Sequence, residues 1–245
     1  MKYRLVGSEM CIRDSVTARY NEPYVKIFEE ERELTLMLLV DVSGSEFFGT
    51  NTQFKRDFIT EIAATLSFSA LQNNDKVGLI LFSNQIELFI PPKKGRSHIL
   101  RIIRELLEFK PLNKSTNISV PLEFISSILK KKAIVFLLSD FLDDKYEKNL
   151  RIASNKHDLT GIRVFDKSEE SIINLGFVSF FDIETGKNRF INTSSKKVRS
   201  AFSSYFYEKQ SEFLNTFKMN GAGTINCCVD ESYVKKLLAY FKARA

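Results

Sequence analysis

The chain has 245 residues, 44% of them hydrophobic and 27% charged, with no tryptophan and 22 phenylalanines, which suits one α/β domain with a Phe-built core. Its net charge of +6 comes from dispersed Lys and Arg, without a nucleic-acid recognition motif, so binding to nucleic acid is not the expected role. No apolar run approaches the roughly 20 residues of a membrane span, the start lacks the apolar core of a secretory signal, and three cysteines, two of them adjacent (Cys227 and Cys228), make no disulfide framework. The expected compartment is the cytoplasm.

Residues 1–15 read as foreign. The string from Val6 to Ser15 resembles translated sequencing-adapter read-through, so the native chain is expected to enter near Val16, with its true start lost and the domain spanning 16–245. Residues 24–28 look extended, and a charged link leads into an apolar strand, Leu34-Thr-Leu-Met-Leu-Leu-Val-Asp41. Thr50, Asn51 and Thr52 are N-cap candidates for a helix whose stripe runs Phe54, Phe58, Ile62, Leu66, Ser69. Residues 77–83 form the next strand, pairing with 87–90. Pro91-Pro92 and Gly95 mark a loop. Ile99, Leu100, Ile102, Ile103, Leu106 and Leu107 predict a helix, and residues 118–129 another, with Pro121 in its first turn. The run Lys130-Lys131-Lys132 falls where that helix should end, where cations favour the dipole.

A second apolar strand, Ala133 to Leu138, ends in Ser139-Asp140. A helix over 146–155, a strand over 159–165 and a hairpin (175–181 with 189–192) follow. Then come a long helix over 196–219 stopped at Asn220-Gly221, a strand over 224–229 and a terminal helix over 232–244. Strands alternating with helices predict a mainly parallel, doubly wound α/β sheet covered on both faces, with a β-hairpin insertion.

The chemistry concentrates where two apolar strands end. The first closes in Asp41-Val-Ser43-Gly-Ser45 and the second in Ser139-Asp140, while Lys114-Ser115-Thr116-Asn117 is a polar loop before a helix. Carboxyl ends of strands are where open α/β sheets place binding crevices. Asp, Ser and Thr offer hard oxygen donors, suited to Mg²⁺ or Mn²⁺. Asp41, Ser43, Ser45, Thr116 and Asp140 are therefore expected to converge at one edge of one sheet, and the resemblance given next implies that they form a metal site. Their order resembles the metal-ion-dependent adhesion site of von Willebrand factor A domains, written Asp-x-Ser-x-Ser, then Thr, then Asp. Neither His98 nor His157 has zinc-ligand spacing. The catalytic alternatives lack their marks: the second position of the first motif is Ser43 where an aspartyl phosphatase would want a second Asp, and there is no phosphate-binding Gly-Lys-Ser/Thr loop or Gly-x-Ser-x-Gly elbow.

The likeness extends further. Phe28-Glu-Glu-Glu-Arg-Glu-Leu-Thr35, Asn74-Asp-Lys-Val-Gly-Leu-Ile-Leu-Phe-Ser83, Pro91-Pro-Lys-Lys-Gly95 and Leu138-Ser-Asp-Phe141 resemble the bacterial domain-of-unknown-function family fifty-eight. The resemblance implies a von Willebrand factor A-like, Rossmann-like three-layer fold. It also implies a cytoplasmic, non-enzymatic module that holds a partner's acidic residue through its cation. A MoxR-type AAA+ ATPase is the partner it implies, in maturation or metal loading of a client protein. In this family the metal loop usually reads Gly-Thr-Asp. Here Ser115-Thr116-Asn117 keeps the threonine, gives up a glycine's freedom at positive φ and removes a negative charge. A metal-dependent phosphohydrolase and a structural subunit with an empty site are the rival readings.

Overall fold

The computed structural model describes residues 33–44, 54–111, 113, 115–143, 145–181 and 188–244. The expected foreign leader, the extended 24–28 segment, the N-cap trio at 50–52, the hairpin tip at 182–187 and Ser45 lie outside these residues.

Among the described residues six strands form one sheet in the order β3-β2-β1-β4-β5-β8. They are β1 (Thr35–Asp41), β2 (Lys76–Phe82), β3 (Ile86–Lys93), β4 (Ile134–Ser139), β5 (Asp158–Phe165) and β8 (Gly223–Cys228). Every pairing is parallel except β2 with β3. A separate two-stranded ribbon, β6 (Phe177–Phe181) with antiparallel β7 (Asn188–Asn192), is the expected hairpin. The chain goes from β1 to β2 on one side and later to β4 on the other, so the strand order reverses between β1 and β4. Such a switch point opens a crevice at the carboxyl ends.

Alternation along each strand builds two cores. Leu36, Leu38 and Val40 of β1 face one way, onto α1 (Lys55–Gln72), α2 (Arg96–Glu108) and α6 (Tyr233–Arg244), through Phe58, Ile62, Ile102 and Leu237. Met37 and Leu39 face the other way, onto α3 (Ser119–Ile128), α4 (Glu147–Lys156) and α5 (Lys196–Met219), through Leu122, Leu150, Phe213 and Phe217. A strand buried on both faces needs an unbroken apolar run, which is what β1 and β4 carry. The result is the expected doubly wound three-layer arrangement, a mainly parallel sheet with helices on both faces.

Several local expectations shift. Pro91 and Pro92 continue β3 instead of marking a loop; β3 ends the sheet, where a residue without an N–H is tolerated. Phe54 precedes α1 and is exposed, so the helix stripe begins at Phe58. Leu100 and Leu107 are exposed while Ile99, Ile102 and Leu106 face the core. Along α5, Phe206 is buried, Phe202 is half-buried and Tyr205 is exposed. Both Cys227 and Cys228 are buried thiols, and burial pushes Cys227 up to about 12, where it is inert.

His157 caps the far edge of the sheet. Its buried Nδ1 accepts the Ala133 N–H at 3.3 Å, which requires the neutral ring. Burial, then the Lys156 ammonium, pushes its pKa below the ordinary 6.5. The unfolded chain therefore takes up the proton first. Stability is intact above about pH 6.5 and falls as pH drops through that value. On going from pH 7.5 to 5.5 the urea midpoint of His157→Gln should change in the stabilising direction relative to that of the wild type, because the acid-destabilising group is gone; an equal pH response in both would overturn this assignment.

Candidate metal site at the strand switch point

Asp41 closes β1 with its carboxylate fixed from two sides. Oδ1 accepts the Ser43 N–H at 2.9 Å, and Oδ2 accepts the Ser139 hydroxyl at 2.7 Å from the end of neighbouring β4. Ser139 Oγ accepts the Phe141 N–H at 3.3 Å. Asp140 Oδ1 accepts the Leu142 N–H at 3.3 Å. Its Oδ2 is buried without a hydrogen bond and lies 3.6 Å from Lys55 Nζ.

The Thr116 loop joins from the β2 side. Asn117 N–H donates to the Ser83 carbonyl at 3.0 Å, one residue past β2, and Val42 N–H donates to the Phe82 carbonyl at 2.9 Å. Thr116 Oγ1 is buried without a hydrogen-bond partner. Such orphaned oxygens are rare in folded proteins and call for an explanation. Asp41, Ser43, Asp140 and the Thr116 loop thus stand at the carboxyl edge of three adjacent strands. Ser45 lies outside the described residues. The donor set of carboxylate and hydroxyl oxygens fits a hard divalent cation, and Thr116 Oγ1, buried without a hydrogen bond, is an oxygen such an ion would satisfy.

The family departure in the loop has local consequences. Asn117 Oδ1 accepts the Ser119 N–H at 3.0 Å, and Asp143 Oδ2 accepts the Ile118 N–H at 2.9 Å. Together they cap α3, so Asn117 does helix-capping work that a neutral amide performs well. Among the described residues the non-glycine positions at positive φ are Asn74 and Phe141. Ser115 is not one of them, so the serine carries no left-handed strain here.

Phe141 is the unexpected member. Its φ of 56° is costly for an aromatic residue. Phe213, at 4.4 Å between ring centroids, and Phe217, at 5.3 Å, clamp the ring. This turn directs the chain away directly after Asp140.

Charge is concentrated and buried. Burial, then the Asp140 carboxylate, pushes the Asp41 carboxyl up to about 7, against the pull of hydrogen bonds from Ser43 and Ser139. Two buried cations stand close by. Lys55, at the first position of α1, is 2.9 Å from Glu169 Oε1 as well as near Asp140. Arg163 of β5 donates from Nε to the Asp140 carbonyl at 3.2 Å and stacks on Phe206, 4.7 Å from its ring centre. Burial pushes the Arg163 pKa down, while Glu169 and Asp140 support its charge. Lys55 and Arg163 lie outside the motif, and Ser139, legible at the strand end, holds no motif position. Arg163 had a signal, a lone cation inside Leu159-Thr-Gly-Ile-Arg-Val-Phe165. Lys55 had a weaker one, a cation at a helix start, against the dipole.

Residues 7–212 match the family described as Protein of unknown function DUF58. The uncharacterized protein Rv1480 of Mycobacterium tuberculosis (strain ATCC 25618 / H37Rv) is 23% identical over 233 residues, which is 94% of this chain and 73% of that protein. Among solved structures, the conserved hypothetical protein BatB from Bacteroides thetaiotaomicron superimposes with a TM-score of 0.56 at 12% identity, over 86% of this chain and 97% of that one. An aerotolerance-related membrane protein from Bacteroides fragilis NCTC 9343, with multiple mutations to serines, does so with a TM-score of 0.55 at 14% identity, over 85% and 97%. At these identities the structural likeness is one of fold. Among the described residues no helix is long and apolar enough to cross a membrane.

Proposed function

The chain belongs to the DUF58 family, and we propose that it is a metal-dependent protein-interaction module. The observation that carries this reading is the buried, unpartnered Thr116 Oγ1 in a loop tied to the same strand edge that holds Asp41, Ser43 and Asp140. Ser43, Ser45 and Thr116 supply hydroxyl oxygens to Mg²⁺ or Mn²⁺, and Asp41 and Asp140 supply the negative charge. The bound cation offers a coordination position to a carboxylate, so the ligand is an acidic side chain of a partner protein. By family resemblance that partner is a MoxR-type AAA+ ATPase, acting with this chain in the cytoplasm on a client protein.

A hydrolytic reading fits less well. A general base must reach the reacting proton. His98 Nε2 lies 2.9 Å from the carbonyl oxygen of Val77, at the start of β2, and His157 meets Ala133 just before β4. Both imidazoles are therefore at the opposite edge of the sheet from Asp41.

The test is capture of the purified MoxR-type ATPase by this chain in Mg²⁺ and in chelator. Binding is expected in Mg²⁺ and lost in chelator. Equal capture in both rules out the metal-bridged mode, and turnover of phosphate esters that requires Asp41 would replace the adaptor by an enzyme.

A further inference from the structure

Lys55 is almost completely buried, at 2% exposure, and its position is electrostatically unfavourable. It opens α1, where the helix dipole disfavours a cation, and its ammonium has left water. Two carboxylates lie against it, Glu169 Oε1 at 2.9 Å and Asp140 Oδ2 at 3.6 Å. The two carboxylates differ in kind. Asp140 belongs to the oxygen cluster at the switch point. Glu169 belongs to the 3₁₀ turn Lys167–Glu169 after β5, where its side chain also accepts the Asp166 N–H at 3.3 Å in a capping box. The ammonium thus stands between the candidate metal site and a structured turn that supplies no ligand to it.

We infer that Lys55 is the resident counter-cation of the site and sets its affinity for divalent metal. Without metal it neutralises Asp140. When a divalent cation engages Asp140, repulsion between the two positive charges moves the ammonium onto Glu169, which is already the nearer partner. Metal entry works against a positive charge built into the fold, and the position of Lys55 reports occupancy to the 167–169 turn. This rests on the metal-site reading above. Glu169 is a positioning residue here: it is no candidate ligand and acts on the site through Lys55.

Calorimetric titration of Mn²⁺ into the full chain tests it with two opposed variants. Lys55→Met should tighten Mn²⁺ binding by roughly tenfold or more, because the competing charge is gone. Glu169→Gln should weaken it severalfold, because Lys55 loses the carboxylate outside the oxygen cluster and stays on Asp140. In the wild type, the ¹⁵N-labelled Lys55 ammonium resonance should shift on saturation with Mg²⁺, which keeps the test open if Lys55→Met does not fold. Unchanged or weaker binding by Lys55→Met, unchanged binding by Glu169→Gln, or an unmoved ammonium resonance would each overturn the role of Lys55. If the wild type binds Mn²⁺ and Asp41→Asn does not, such a result removes Lys55 alone. If neither wild type nor Lys55→Met binds Mn²⁺ or Mg²⁺, the metal site itself is refuted, and this inference with it.

Discussion

Asp41→Asn is expected to lose Mg²⁺ and Mn²⁺ binding by two orders of magnitude or more while its metal-free form is more stable than the wild type at pH 8. Both effects follow from one buried charge. Asp41 is buried beside Asp140, and its carboxyl is pushed from the ordinary 3.8 up to about 7. In the native state the proton is therefore held more tightly than in the unfolded chain. Protonation favours folding, and that contribution is complete below pH 3.8 and lost as pH rises to 7. At pH 8 the ionised, buried carboxylate is therefore a net penalty on the metal-free fold. Asparagine keeps the Oδ1 acceptor for the Ser43 N–H, removes the repulsion with Asp140 and cannot ionise. A divalent cation binds the ionised form, so wild-type binding should release protons below pH 7 and release fewer at pH 8. Thermal melts at pH 5 and pH 8, with and without chelator, together with calorimetry in two buffers of different ionisation enthalpy, read all of this. Wild-type affinity in Asp41→Asn would remove Asp41 from the site.

Much of the architecture was legible because the core strands are buried on both faces. Residues 36–40 and 133–138 are unbroken apolar runs, and such runs between helical stripes leave a parallel sheet as the economical solution. The place of the candidate site was legible for a related reason. An apolar run that ends abruptly in Asp and Ser places those groups at the strand's carboxyl end without further information. What the pattern could not give is the electrostatic frame. Lys55 and Glu169 lie far apart in sequence, and their meeting depends on how α1 and the turn after β5 pack at one edge. Nor could it give the left-handed φ of Phe141, because nothing in Ser139-Asp140-Phe141-Leu142 marks an aromatic residue for a conformation usual in glycine. The β3 edge misled for the opposite reason. Two prolines read locally as a loop, yet an outer strand tolerates them.

The largest stability effect is expected at Phe217. Its side chain is fully buried, 4.7 Å from the ring centroid of Phe213 and 5.3 Å from that of Phe141. Phe217→Ala should cost about 3–5 kcal/mol, the range for deleting a packed aromatic side chain, read from urea denaturation at constant m-value. Gly161 of β5 explains why α5 can lie so close. A Cβ placed there would stand 2.5 Å from Phe217 Cε1 and 2.9 Å from Phe213 Cε2, so the glycine inside an apolar strand is room for two rings. Gly161→Ala alone should therefore cost about 1–3 kcal/mol by overpacking. In the double variant the new methyl enters space vacated by the Phe217 ring, and the combined cost should fall short of the sum by on the order of 1 kcal/mol. Strict additivity would mean that the two residues do not share this space. The same rings hold Phe141 at its positive φ beside Asp140, so Phe217→Ala should also weaken Mn²⁺ binding although it touches no candidate ligand. Undiminished metal affinity in that folded variant would show that the turn after Asp140 holds its geometry without the aromatic clamp.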